Sequence, residues 1–309
     1  MINYGLQSIN KKDIDSVVRV LKSNLLTQGP IVEKFERKLS KYFKSKYALA
    51  VSSGTSGLNI AAKVLDFKKN DIVFVSPITF LASVNCIEKT GATPKFIDIN
   101  LEDYSIDLDK LEAELNKYKG RNKSLIITDY AGHPSNWERI FKLKKKYKLK
   151  IINDNCHAMG AKINKDKGYA IKYSDISILS FHPVKAITTG EGGALITNNF
   201  KYFKLSKELR SHGVIRDRKK IQSKGNWYYE MRNIGENARM SDIHASLGLS
   251  QITRLDQFVS KRNKIAKFYN DIFKNNSLFT IPKVKKNFYH AYHLYPLLVD
   301  FKKNTKSKV

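Results

Sequence analysis

Residues 177–193, Ser-Ile-Leu-Ser-Phe-His-Pro-Val-Lys-Ala-Ile-Thr-Thr-Gly-Glu-Gly-Gly, set one lysine, Lys185, between a short apolar run and a glycine-rich hydroxylated loop, with Ser180 five residues before it. A lysine amine joins an aldehyde as a Schiff base once a desolvated or cationic setting deprotonates it. In a chain this rich in lysine the residue type says little, so the flanking glycines and the apolar approach are what single it out. Upstream, Ser52-Ser53-Gly54-Thr55-Ser56-Gly57-Leu58 follows an apolar run and leads into a helical pattern. Glycine and small hydroxyl residues at a helix start leave backbone N–H groups free to bind a phosphate, and the same residues also cap helices that bind nothing. Phe80 falls just past another apolar run, where it either lies against a planar ring or fills the core. Asp154 ends Ile151-Ile152-Asn153-Asp154, and His157 comes three residues later. A carboxylate at a strand end suits a ring nitrogen that must stay protonated; capping the next turn, and an ordinary structural bond for His157, are the competing roles.

Residues spread over 130 positions meet only if the fold brings strand ends together. Ile14, Val17, Val18 and Leu21 form the apolar stripe of a helix predicted over 11–22. Short apolar runs at 47–51, 71–75, 94–97, 125–128, 151–152 and 176–179, several β-branched, alternate with helical patterns, one of them with Leu58, Ala61, Ala62 and Leu65 on a single face. That alternation predicts an α/β fold with a mostly parallel sheet. From about residue 200 the pattern turns helical, with Ile252, Leu255 and Val259 as a further stripe, and 294–299 predicts one more strand before a polar run over 302–308. The predicted division is a large domain over 1–240, then a linker helix and a small C-terminal α/β domain over 241–309. One strand without a following helix cannot bury both faces, so the small domain reads as truncated.

With 309 residues, 42% of them hydrophobic, the chain can bury a substantial core. Two cysteines, Cys86 and Cys156, exclude a disulfide framework, and the opening residues show no apolar signal segment, so a cytoplasmic protein is expected. No apolar stretch approaches the roughly 18 residues of a membrane span. The net charge of +28, from 56 Lys and Arg against 28 Asp and Glu, invites a nucleic-acid reading. The basic residues are scattered, however, so solvated surface is the preferred reading, with a field that attracts small anions. No specific nucleic-acid partner and no metal site are expected.

Taken together, Gly54-Thr55-Ser56, Phe80, Asp154 with His157, Ser180 with Lys185, and Asn237-Ala238-Arg239-Met240 resemble the DegT/DnrJ/EryC1 family of pyridoxal-phosphate sugar aminotransferases. Tyr4-Gly5-Leu6-Gln7, Leu26-Thr27-Gln28-Gly29-Pro30 and residues 180–193 look most similar to the members that serve pseudaminic acid biosynthesis. The resemblance implies an aspartate-aminotransferase-like large domain, pyridoxal 5'-phosphate as cofactor, and a homodimer with shared sites. It makes Lys185 and Asp154 catalytic: the lysine holds the cofactor aldehyde and moves protons, and the aspartate pairs with the pyridine nitrogen. It places Phe80 on the ring, His157 beside the phenolic oxygen, and Gly54, Thr55, Ser56 and Ser180 on the phosphate, with Asn237 reaching it from the neighbouring subunit. Tyr4, Asn24, Leu25, Leu26 and Thr27 match positions lining the substrate site. The implied reaction moves an amino group from L-glutamate to C4 of a UDP-linked 4-keto-6-deoxy-N-acetylhexosamine. The same chemistry on another nucleotide-linked sugar, and a non-catalytic binding relative, are the alternatives. Three features depart from the family: a second glycine at Gly57, the asparagine pair around Asp154, and a C-terminus that stops at Val309. The last sets the expectation of exposed apolar surface on the remaining helix and strand, and of a cofactor site with poor turnover.

Overall fold

The computed structural model describes residues 5–216 and 218–301. In chain order its elements are α1 (Lys11–Leu21), α2 (Pro30–Phe43), β1 (Tyr47–Val51), α3 (Gly54–Val64), β2 (Ile72–Val75), α4 (Ala82–Glu88), β3 (Thr93–Phe96), α5 (Leu108–Lys117), β4 (Lys123–Thr128), α6 (Trp137–Tyr147), β5 (Lys150–Asp154), β6 (Lys162–Ile163), α7 (Tyr169–Tyr173), β7 (Ile176–Ser180), β8 (Gly193–Thr197), α8 (Phe200–Leu209), α9 (Arg218–Lys224), α10 (Asp242–Gln251) and α11 (Leu255–Phe273). Seven strands form one sheet in the order β1-β8-β7-β5-β4-β2-β3. From β7 to β3 every pairing is parallel, while β8 runs antiparallel to both of its neighbours. The expected α/β architecture is therefore present.

Apart from the edge strand β3, whose Thr93 and Phe96 are exposed, the strands are buried on both sides, because helices cover both faces of a parallel sheet. Phe35 and Leu39 of α2, Trp137 and Ile140 of α6, and Leu111 of α5 pack on one face; Leu58 and Ile60 of α3, Ile87 of α4 and Leu209 of α8 pack on the other. Six strands point their carboxyl ends the same way, so the turn from β1 to α3 and the segments leaving β2, β4, β5 and β7 share one edge. Strand β8 escapes a sequence reading because it opens on Gly193, at the end of a glycine-rich loop. That glycine is required sterically: a Cβ there would lie 2.5 Å from the Ser53 carbonyl carbon and 2.6 Å from the Gly54 nitrogen.

Two expectations are corrected. Helix α1 forms where predicted, but its apolar stripe faces outward: Ile14 is 55% and Leu21 54% exposed, while Asp13 and Val20 are buried. Asp13 turns inward because it caps the helix with Asn10 and accepts from Gln251 Nε2 at 2.7 Å and from Arg254. The strand expected over 294–299 shrinks to Leu298–Val299, which pairs with Phe279–Thr280. Its first residue and the segment before it bond instead to a 3-10 turn over Tyr130–Gly132, with Leu294 N–H donating to the Ala131 carbonyl at 3.2 Å and Ala291 N–H to that of Gly132 at 2.9 Å. Helix α11 leaves Ile265, Phe268 and Ile272 exposed.

Helix α2 begins at Gly29, which has no side chain to cap it, and the buried Asp242 supplies the acceptor from 200 residues away. Its carboxylate takes the N–H groups of Gly29 at 3.0 Å, Ile31 at 3.3 Å and Val32 at 3.1 Å. Removing it orphans three donors at a helix N-terminus, so Asp242→Ala is expected to cost about 2 kcal/mol in urea unfolding, against no more than about 0.5 kcal/mol for an exposed control such as Asp15→Ala.

Candidate active site

A cavity of about 860 Å³ opens at the carboxyl edge of the sheet. Ser53, Gly54 and Thr55 line it from the start of α3, Phe80 from the segment after β2, Thr128 and Tyr130 from the end of β4, Asp154 and His157 from β5 and its sequel, and Ser180 and Lys185 from β7 and its sequel. Each side chain is set by where its strand stops. Ser53 caps α3 by accepting the Ser56 N–H at 3.0 Å, which leaves the first turn's remaining N–H groups at the cavity. A Cβ on Gly54 would lie 3.0 Å from the Ser180 Cβ and 3.2 Å from the Cys156 sulfur, so the absence of a side chain lets β7 and the helix start close together. The Lys185 backbone is held from both sides, its N–H donating to the His182 carbonyl at 2.8 Å and its carbonyl accepting from Arg262 Nη2 at 3.2 Å.

Asp154 is buried and ties its own carboxylate down: Oδ2 accepts from Ser83 Oγ at 2.5 Å and Oδ1 from the Cys156 N–H at 3.2 Å. Burial pushes the Lys185 amine below its ordinary value of 10.5; the Asp154 charge opposes that shift, and the Arg262 charge adds to it. Burial, with the Lys185 charge second, takes His157 down to about 4. His293 arrives from the C-terminal segment with its ring centroid 4.3 Å from that of His157, and burial beside His157, Lys185 and Arg262 takes it to about 2. Burial and the Asp154 charge raise the Cys156 thiol well above its usual range, so it stays protonated. The arrangement offers an amine biased toward its neutral form, a fixed carboxylate, two neutral imidazoles, and a set of N–H and hydroxyl donors suited to an anion.

Of the residues expected to act, the fold gathers Gly54, Thr55, Phe80, Asp154, His157, Ser180 and Lys185 around this cavity. The Ser56 hydroxyl is instead engaged with those of Ser52 at 2.9 Å and Ser53 at 3.0 Å, and Ser56 does not line the cavity. Asn237 is exposed beside β1, bridged to Ser211, and also lies outside it. Asn24 and Leu25 line a different cleft, of about 1060 Å³, between α1, α2 and α10, and Leu26 and Thr27 are exposed on the segment bound to the start of α10. Tyr4 lies outside the described residues. Sequence reasoning missed Thr79, Ser83, Thr128 and His293. Thr128 was findable as the last residue of a parallel strand; Ser83 and His293 carry no local signal, since one is a buried serine within a helix and the other depends on where the tail is pinned.

The sequence pattern of the DegT/DnrJ/EryC1/StrS aminotransferase family matches residues 7–309. A Campylobacter jejuni protein named UDP-4-amino-4,6-dideoxy-N-acetyl-beta-L-altrosamine transaminase is 38% identical over 299 residues, covering 97% of this chain and 77% of the relative. The solved structure of Helicobacter pylori PseC, described as an aminotransferase involved in the biosynthesis of pseudoaminic acid, superposes with a TM-score of 0.88 at 34% identity, covering 97% of this chain and 78% of that one. The pyridoxamine-phosphate form of Spr1654 from Streptococcus pneumoniae, described as a putative sugar aminotransferase, gives a TM-score of 0.89 at 27% identity over 97% of this chain and 79% of that one. The family pattern spans nearly the whole chain, and the chain belongs to the DegT/DnrJ/EryC1/StrS aminotransferase family.

Proposed function

We propose that the protein is a pyridoxal 5'-phosphate-dependent aminotransferase that carries an amino group from L-glutamate to C4 of a UDP-linked 4-keto-6-deoxy-N-acetylhexosamine. The observation that carries the reading is the convergence of Lys185, Asp154 and the open start of α3 on one cavity. The names of the Campylobacter and Helicobacter relatives support the choice of sugar.

The residues present fit the cofactor. At the close Gly54–Ser180 approach, where a Cβ on Gly54 would lie 3.0 Å from the Ser180 Cβ, the cavity presents N–H and hydroxyl donors suited to a phosphate. Phe80 lines the cavity and is 65% exposed, which leaves its ring accessible to a planar group. Ser53, Gly54, Thr55 and Ser180 would hold the phosphate, Phe80 the ring face, Asp154 the ring nitrogen and Lys185 the aldehyde carbon. When bound, the group supplies an electron sink and a carrier for nitrogen. The chain's own part is acid–base work and placement. Asp154, fixed by two donors, presents negative charge where a protonated ring nitrogen must be kept. The desolvated Lys185 amine takes a proton at Nζ and returns it, and His157 stays neutral beside it.

A homodimer with shared sites is part of the proposal. The outward stripe of α1, together with the exposed Leu81, Trp227 and Ile234, supports an apolar contact between copies. Asn237, exposed beside its own chain's cavity wall, would reach the partner's phosphate, and residues 24–27 would meet the sugar nucleotide across the same junction.

Protein incubated with pyridoxal 5'-phosphate is expected to turn yellow, with a visible band that borohydride removes, and Lys185→Ala and Asp154→Ala are each expected to lower turnover by at least about 100-fold. A colourless wild-type protein would sink the reading. Imidazole C–H resonances of His157 are expected to stay at their neutral position from pH 8 down to about 5, titrating only toward about 4. Because an unfolded histidine protonates near 6.5, the buried neutral ring supports the fold above that value and its contribution is lost as pH falls toward 4, so thermal stability should decline on acidification. Mixing inactive Lys185→Ala and Asn237→Ala proteins is expected to restore roughly a quarter of wild-type turnover, since half of the dimers then hold one intact site; no recovery after subunit exchange would contradict the shared site.

A further inference from the structure

At the cavity wall, Asp154 is connected to a chain of hydroxyl groups that spans three elements, and of those groups only Ser83 lies behind the lining. Ser83, fully buried on α4, donates through Oγ to Asp154 Oδ2 at 2.5 Å. Thr79 Oγ1, in the segment after β2, donates to Ser83 Oγ at 3.2 Å, and Thr79 and Thr128 share a hydrogen bond at 2.7 Å at the end of β4. Its direction follows from counting protons. An ionised carboxylate only accepts, so the single Ser83 proton is committed to Asp154. Ser83 therefore receives from Thr79, which spends the Thr79 proton, and Thr128 must be the donor to Thr79. The chain reads Thr128 to Thr79 to Ser83 to Asp154, each bond polarising the next. A neutral Asp154 would remove the reason for that order.

We propose that Ser83, supported by Thr79 and Thr128, is a positioning residue that keeps Asp154 ionised and its free lone pairs turned to the cavity, thereby setting how strongly the protein protonates the cofactor's ring nitrogen. The inference rests on the proposed function, because it needs a pyridine nitrogen opposite Asp154. Ser83 itself touches neither the cavity nor any reacting atom; it acts through the carboxylate. A hydrogen bond to the charged form of an acid lowers its proton affinity, and losing one is worth about a tenfold change. Without the Ser83 donor, Asp154 competes better for the shared proton and the ring nitrogen holds it less.

The test reads that nitrogen directly. Pyridoxal 5'-phosphate labelled with 15N is bound to wild-type protein and to Ser83→Ala, Ser83→Thr and Thr79→Val, and the nitrogen resonance is recorded together with the cofactor dissociation constant and the thermal stability of the cofactor-free protein. The wild-type resonance is expected at the protonated position. Ser83→Ala is expected to move toward the unprotonated position with a weaker cofactor complex, Thr79→Val to move part of the way, and Ser83→Thr, which keeps the hydroxyl, to match wild type. An unchanged resonance in Ser83→Ala, or a shift that Ser83→Thr does not reverse, overturns the inference while leaving the proposed function standing. If Ser83→Ala does not fold, an unchanged resonance in Thr79→Val overturns it in the same way. Wild-type protein that binds no cofactor removes both.

Discussion

The Asp154 carboxylate lies at the carboxyl end of β5, buried under α4, and a charge in that position is tolerable only where donors meet it. Much of the surrounding architecture serves that requirement. Strand β5 sits between β4 and β7, so its end is reached by the segments leaving both neighbours. The segment leaving β2 brings Thr79 and Phe80 to the same edge and delivers Ser83 through the first turn of α4. The turn after Asp154 supplies the Cys156 N–H. Parallel strands make this possible, because each crossover returns the chain to the opposite edge and leaves the carboxyl ends open for function.

The opposite face of β5 carries a second buried polar assembly. Asn153 points away from Asp154 and bonds Ser177 Oγ at 2.7 Å and Asp129 Oδ2 at 3.3 Å. Asp129 also accepts from the Ser135 N–H at 2.8 Å and the Tyr169 hydroxyl at 2.9 Å. Burial raises Asp129 to about 6, which its donors partly oppose. This network anchors the loop carrying Tyr130, and through the Ala131 and Gly132 carbonyls the segment carrying His293. The asparagine that looked unusual in sequence thus has a place: it links β7, β5 and the loop that walls the cavity.

Cavity and net charge play different parts. The chain is strongly basic, and exposed lysine–carboxylate contacts such as Lys68–Asp66 and Lys283–Glu102 add little stability. Of the groups lining the cavity, two imidazoles and a thiol are held neutral by burial and the lysine is biased the same way, while Asp154 and the exposed Glu191 supply carboxylates. A protein that must change the protonation of one amine gains from having fewer competing groups near it, and desolvation silences those three.

The sequence by itself determined the α/β class and the places of the strands around 47–51, 71–75 and 125–128, because those signals are local, whereas the seven cavity residues it named rested on the family resemblance of several spaced motifs taken together. Apolar runs of strand length, a glycine–hydroxyl helix start and a polar residue just past a strand can be recognised one segment at a time. Only the tertiary structure decided which face of α1 is buried, since Asp13 turns inward to meet Gln251 and Arg254, more than 200 residues away. It alone decided that Ser56 spends its hydroxyl on neighbouring serines, that Gly193 starts a strand beneath Gly54, that His293 lines the cavity, and that Ser83 donates to Asp154. Each depends on two distant segments meeting, and the energy of such a contact is written in neither segment separately.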